Sequence, residues 1–212
     1  YFYWAGNFSA QLIKIGNFIK ELYIIISMHH DHFVIIYALN EDVVERSVVE
    51  LEYHCTVLDK MALDSTAKIQ IHVGGVYGDK GSAMYRFIER YSSLSKSLTS
   101  RLVIENDHRS YSLEDCLSVH EKIDLPIIFD AFHHQCLNNG ETLRKGLQLS
   151  ASTWQESDGI PMVDYSSQQR GQRPGSHAKT LNIANFKKFL HETKGLDFRS
   201  EERRGGEGGG GG

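Results

Sequence analysis

At 212 residues the chain can bury one substantial domain core, yet it falls short of the roughly 250 residues of a complete (β/α)₈ barrel. Its formal net charge of −4 argues against nucleic-acid binding through a simple surplus of lysine and arginine, although bound divalent cations would reverse the local field. No apolar run approaches the roughly 18 residues of a membrane span and no signal-peptide pattern opens the chain, so a soluble, cytoplasmic protein is expected, nucleoid-associated if prokaryotic.

Residues 8–20, with Leu12, Ile15 and Ile19 apolar, predict a helix belonging to an earlier strand. The apolar run 23–26 then stops at Ser27, Met28 and His29. From Asn40 a helix start signal leads into Val44, Val48, Leu51, Cys55, Leu58 and Ala62, a stripe that faces a sheet. A strand over 68–73 carries the run 69–71 into His72, and a glycine-bearing loop over 74–81 precedes a helix with Ala83, Met84, Phe87, Ile88, Tyr91 and Leu94 on one side. The strand 101–105 ends at Glu105. Ser112 caps a short helix bearing Leu113, Cys116 and Leu117, and Pro126 opens a strand ending at Asp130, with His133 and His134 just beyond. A weaker helix around 140–152, a strand over 160–165 and a helix over 182–193 complete the series. Such alternation predicts parallel strands joined by right-handed crossovers. The expected fold class is therefore α/β, a TIM-type (β/α)₈ barrel incomplete at its N- and C-termini. Residues 1–198 form its single domain and 199–212 a low-complexity tail, disordered or artificial. Cys55, Cys116 and Cys136 match no zinc-motif spacing and read as reduced core residues.

Strands of a parallel sheet are buried on both faces, so a polar residue ending each apolar run places those residues together at one rim. His29, His72, Glu105, Asp130 and His133 make a mixed nitrogen and oxygen set, suited to divalent manganese, zinc or iron rather than calcium. Any one of these histidines alone is as readily a hydrogen-bonded structural residue; together they point to a metal site. His177 can join the same rim or be an exposed loop residue. His54, His120 and His191 lie in helical patterns and carry no assigned chemistry, whereas His30, His32, His108 and His134 can line the cleft or face solvent. In the loop after His72, Tyr77 can stack on a base and Lys80 can meet a phosphate, the plain alternative being a glycine-rich turn with Asp79 as helix cap. Gln168, Gln169, Arg170 and Arg173 in the polar loop 166–177 can grip a phosphodiester backbone or simply be solvated.

The strings SMHHDHF, VVERSVVELEYH, IHVGGVYGDK, RLVIENDHRSYSLEDC, PIIFDAFHHQCLNNGE and DGIPMVDYSSQQRGQRPGSHA closely resemble the ultraviolet-damage endonuclease family, nearly continuously from about residue 18 to residue 198. The resemblance implies a barrel shared with endonuclease IV and xylose isomerase. It also implies nicking of double-stranded DNA on the 5′ side of ultraviolet photoproducts by a cluster of two or three divalent ions, Mn²⁺ first and Zn²⁺ or Mg²⁺ as alternatives. By position the implied metal ligands are His29, His72, Glu105, Asp130, His133 and His177, with His72, Glu105 and Asp130 the catalytic residues. His32 and Phe33 stand where the family carries a lesion-probing glutamine and an aromatic; with Tyr77, Lys80, Gln168 and Arg173 they form the expected DNA-binding set. The family's lysine and histidine on the sixth strand are Met162 and Asp164 here, which makes Asp164 a candidate ligand and removes any lysine-derived one. The resemblance implies an early strand that would precede Tyr1, and no closing strand is expected from residues 199–202, which hold no apolar side chain to bury. The chain is expected to act as a monomer. Two rival readings stay open: a metal-dependent sugar isomerase or epimerase on the same barrel, and a catalytically impaired remnant of the endonuclease.

Overall fold

The computed structural model describes residues 4–29 and 34–202. In chain order these form α1 (Trp4–Asn7), α2 (Ser9–Glu21), β1 (Ser27–His29), α3 (Glu41–Lys60), β2 (Lys68–His72), α4 (Lys80–Ser92), α5 (Lys96–Thr99), β3 (Leu102–Glu105) and α6 (Leu113–Ile123). Then come β4 (Ile127–Asp130), α7 (Ala131–Cys136), α8 (Leu143–Ala151), β5 (Met162–Tyr165), α9 (Ile183–Glu192) and β6 (Arg199–Glu202). Side-chain caps set many of the helix starts. Asn40, Asp79, Ser112, Thr142 and Asn182 each accept a backbone N–H of the first helical turn, and Ser112 with Asp115 forms a reciprocal capping box. None of the helices among the described residues is long and apolar enough to cross a membrane.

All six strands pair parallel in the order β1-β2-β3-β4-β5-β6, an arc of TIM-type barrel with helices on its outer side. Because successive side chains point to opposite faces, each strand divides its residues between two environments. Outward, Ile69, Ile71, Leu102, Ile104, Ile127, Phe129 and Val163 meet Leu51 and Leu58 of α3, Phe87 of α4, Val119 of α6 and Leu147 of α8 in the main core. Inward, Val103, Ile128 and Met162 form a second cluster with Ile25 and Trp154, a small apolar floor inside the arc.

Below that floor, at the N-terminal ends of the strands, the inward cations are matched by anions. Lys68, fully buried, donates to Asp158 at 2.7 Å and to the Ser100 carbonyl at 3.0 Å. Arg101 donates to Asp59 and to the Leu63 carbonyl, both at 2.7 Å. Desolvation pulls the Lys68 ammonium below its usual range, and the Asp158 hydrogen bond opposes that shift.

Three expectations are corrected. The run 23–26 is not strand: Tyr23 takes a left-handed φ of 53° as the chain leaves α2, and pairing begins only at Ser27. Ala62 leaves the α3 stripe, since the helix ends at Lys60 and Ala62 itself has φ 55°. Arg199–Glu202 does form a strand, paired parallel with β5, rather than opening a structureless tail. Strand pairing uses backbone groups, as where Arg199 N–H donates to the Pro161 carbonyl at 2.8 Å, and the apolar anchor is supplied just before the strand by Phe198 against Phe189. At the edge of the arc, charged residues are tolerated.

Replacement of the fully buried Leu58 by alanine is expected to cost about 2–5 kcal/mol in urea unfolding. Val49→Ala on the solvent side of the same helix, where the side chain is 64% exposed, should change stability by no more than about 0.5 kcal/mol.

Candidate metal centre

The inward residues at the C-terminal strand ends are polar. His29, His72, Glu105, Asp130 and Asp164 close β1, β2, β3, β4 and the inward face of β5, and the register sets His72 beside Glu105 and Asp130 beside Asp164. Two donor groups result. His29, His72 and Glu105 form one and Glu105, Asp130 and His133 the other, the ligand atoms of each lying within 4.8 Å of one another. Glu105 belongs to both. Its Oε2 lies 3.9 Å from His29 Nε2 and 3.7 Å from His72 Nε2, while its Oε1 lies 3.2 Å from His133 Nδ1.

Exposure grades across the site. Glu105, Asp130 and Asp164 are at most 1% exposed and His133 is 5% exposed, whereas the His29 and His72 side chains keep 34% and 23%. The carboxylates are thus at the dry base and two imidazoles at the open side.

Local chemistry explains how His133 arrives there. Strand β4 passes into α7 with no intervening loop, and Asp130 caps the new helix by accepting Phe132 N–H at 2.8 Å and His133 N–H at 2.7 Å. Three residues on, His133 folds back over its own cap, with Nδ1 3.4 Å from Asp130 Oδ2. Asn106 holds the pair from the next strand. Its side-chain amide donates to the Asp130 carbonyl and accepts Asp130 N–H, both at 3.0 Å, and its backbone carbonyl lies 3.1 Å from His133 Nδ1. On the far side, His133 Nε2 approaches His177 Nε2 to 3.2 Å. Two lone pairs cannot face each other at that distance, so one of the two nitrogens carries a proton and donates to the other.

The expected site residues separate into three sets. His29, His72, Glu105, Asp130 and His133 come together as read, and His177 joins beside His133. Asp164 is present but enters neither donor group; Gln70 links it to Glu105. In the loops, Tyr77 is 51% exposed with Arg86 over its ring at 5.7 Å, and Arg173 is exposed. Lys80 instead pairs with Asp115 at 2.5 Å above the Tyr111 ring, and Gln168 turns its amide onto the Arg173 carbonyl and Gly175 N–H, both at 3.0 Å, closing its own loop. Gly74 is required where it stands: φ is 110°, and a Cβ there would run into the Tyr37 ring. His134 is corrected from the cleft to the core, buried against Phe129 with Nε2 on the Glu141 carbonyl. His30, His32 and Phe33 lie outside the described residues.

Two contributors escaped the sequence reading. Gln70 could have been found from the alternation Lys68, Gln70, His72, which puts one polar residue in the middle of an apolar strand. Asn106 carried no such signal, because an asparagine after a strand reads as a turn residue.

Burial by itself would lower the His133 imidazole, but the Glu105 hydrogen bond and the Asp130 and Glu105 charges outweigh it and push it up from 6.5 to about 9. In the metal-free protein this raised value means stability fully present below the unfolded pKa of 6.5 and lost as pH rises through about 9. His108 and His134, which desolvation pulls below 6.5, act with the opposite sign, and their effect is complete once the pH has passed that value. Melts in chelator are therefore expected to lose on the order of 2 kcal/mol between pH 7 and 8.5, below the range where the buried thiols of Cys55 and Cys116 begin to count, and His133→Gln should remove most of that loss. A flat profile in the parent chain would contradict the charge assignment.

A family model described as UV-endonuclease UvdE matches residues 2–203. Among curated proteins, a UV DNA damage endonuclease of Clostridium perfringens is 40% identical over 90% of this chain and 47% of its own length. One of Halalkalibacterium halodurans is 32% identical over 87% of this chain and 57% of its own. The chain spans about half the length of the curated relatives it matches. Of solved structures, that titled SacUVDE superposes with a TM-score of 0.88 at 42% identity, covering 95% of this chain and 68% of that one. An L-ribulose 3-epimerase, with a TM-score of 0.64 at 13% identity over 92% of this chain and 67% of its own, shares the barrel alone. With the family model covering nearly the whole of it, and the same barrel in SacUVDE, the chain belongs to the UV-endonuclease UvdE family.

Proposed function

We propose that this arc of barrel is the catalytic part of a divalent-metal-dependent DNA repair endonuclease that cuts the backbone on the 5′ side of ultraviolet photoproducts in double-stranded DNA. The observation that supports it most is Glu105, whose two oxygens reach separate donor groups in a chain of the UvdE family. The donor set fits manganese: imidazoles and carboxylates, no thiolate among them, converging at a dry base. His29 and His72 with Glu105 would hold one ion and Glu105, Asp130 and His133 a second, with His177 adjoining that second group beside His133. The chemistry such ions supply is activation of a water, neutralisation of the nonbridging phosphodiester oxygens and stabilisation of the leaving 3′-oxygen.

The chain's own residues do the rest. Glu105, Asp130 and Asp164 keep the base of the site anionic in a water-poor environment, which selects for cations ahead of the polyanionic substrate. His29 and His72 face the open side, where the phosphodiester enters. Tyr77 and Arg173, exposed on the loops after β2 and β5, suit stacking and phosphate contact, while Lys80 and Gln168 act by shaping those loops. His32 and Phe33, just past His29 in sequence, would probe the lesion, whose damaged bases cost less to unstack. The low-identity likeness to epimerases concerns the barrel alone and gives the sugar-isomerase reading no support beyond it.

The test uses the purified chain, manganese and a duplex with one cyclobutane dimer. A nick immediately 5′ to the dimer is expected, abolished by chelator and slowed in His72→Ala by more than the roughly 100-fold that loss of a merely supporting group costs. Tight manganese binding without nicking would favour the isomerase class. Failure to bind manganese would favour the impaired remnant.

A further inference from the structure

Gln70 is a buried polar residue that the catalytic reading leaves unused. It sits in the middle of β2 on the inward face, 1% exposed, between Lys68 at the base and His72 at the rim. Its Nε2 donates to Glu105 Oε2 at 2.8 Å and to Asp164 Oδ2 at 2.7 Å. Ser27 Oγ approaches its Oε1 at 3.4 Å. Ionised carboxylates only accept, so the amide must turn its NH₂ toward them, and its orientation is decided by its partners. One side chain thereby links β1, β2, β3 and β5 across the interior of the arc.

Two features of this contact bear on the metal site. Oε2, the oxygen that Gln70 holds, is also the oxygen that faces His29 and His72, which leaves Oε1 directed at His133. The bond therefore fixes which way the carboxylate is turned, and only in that rotation does each oxygen serve a different donor group. In addition, the amide is neutral. A lysine or arginine would satisfy the same two carboxylates but cancel their charge, whereas an amide meets their lone pairs and leaves the negative charge for cations.

We propose that Gln70 is the positioning residue that makes Glu105 a shared ligand, yoking it to Asp164 as the counter-anchor on the opposite strand. This rests on the metal-site reading above. Gln70 touches neither substrate nor reacting atoms; it acts through Glu105.

The test is manganese binding to the full chain, followed by calorimetry and by electron paramagnetic resonance. The parent should take up at least two ions and show the exchange-coupled signal that a shared carboxylate transmits. Gln70→Met, close in shape but without donors, should bind the second ion about 10–100-fold more weakly and lose the coupled signal, with its metal-free circular dichroism unchanged. Should that variant not fold, Gln70→Asn, one methylene short of both carboxylates, is expected to show the same loss. Ser27→Ala removes only the 3.4 Å contact on Gln70 Oε1, leaves both bonds from Nε2 in place and should keep the coupled signal. Unchanged affinity and spectrum in the Gln70 variants would overturn the role, as would a loss in Ser27→Ala equal to that in Gln70→Met. A parent chain that takes up no manganese would instead overturn the metal reading itself.

Discussion

A carboxylate at the floor of a protein cleft, almost wholly removed from water, is costly unless something meets its charge, and Glu105 is 1% exposed. Around it stand Gln70, His29, His72 and His133, drawn from β1, β2 and the start of α7. None of these is a permanent cation. The charge is met by hydrogen bonds and by an imidazole that the carboxylates themselves hold protonated, an arrangement that a divalent ion can replace. The rest of the strand ends can be understood as what keeps that carboxylate in place.

The two ends of the arc solve the same burial problem in opposite ways. Inward alternation along parallel strands forces side chains into the interior at both ends. At the N-terminal end Lys68 is matched inside the arc by Asp158 and Arg101 by the half-exposed Asp59 of α3, so neither charge is left over. At the C-terminal end Glu105, Asp130 and Asp164 crowd together with histidines and a neutral amide, leaving a surplus of negative charge. The apolar layer of Val103, Ile128 and Met162 separates the two. On the proposed reading, this polarity would reconcile a chain of net charge −4 with a polyanionic substrate: the anionic end would attract cations, and those cations would meet the phosphodiester.

Much of this was legible in one dimension because it is local. The heptad-like stripe Val44, Leu51, Leu58 and the caps at Asn40, Asp79 and Ser112 are contacts between near neighbours in sequence. So is the placement of His133, three residues past the Asp130 cap. Where the reading failed, a distant partner intervened. Residues 199–202 look unfit for a strand until the exposed edge of β5 offers backbone groups to pair with. Lys80 looks available to a phosphate until Asp115 of α6 arrives from 35 positions away. His134, adjacent to the candidate donor His133 in sequence, is turned by the helix into Phe129 and away from the cleft.

The sequence by itself determined which residues end the strands and hence which donors exist: a period-2 strand with a polar terminus needs no knowledge of its neighbours. Only the tertiary structure decided how those donors combine. Glu105 serves two groups, and Asp164 joins through Gln70 rather than directly, because β3 lies between β2 and β4 while β5 faces β2 across the arc. Neighbour order and curvature are properties of the assembled sheet, so no spacing along the chain encodes them.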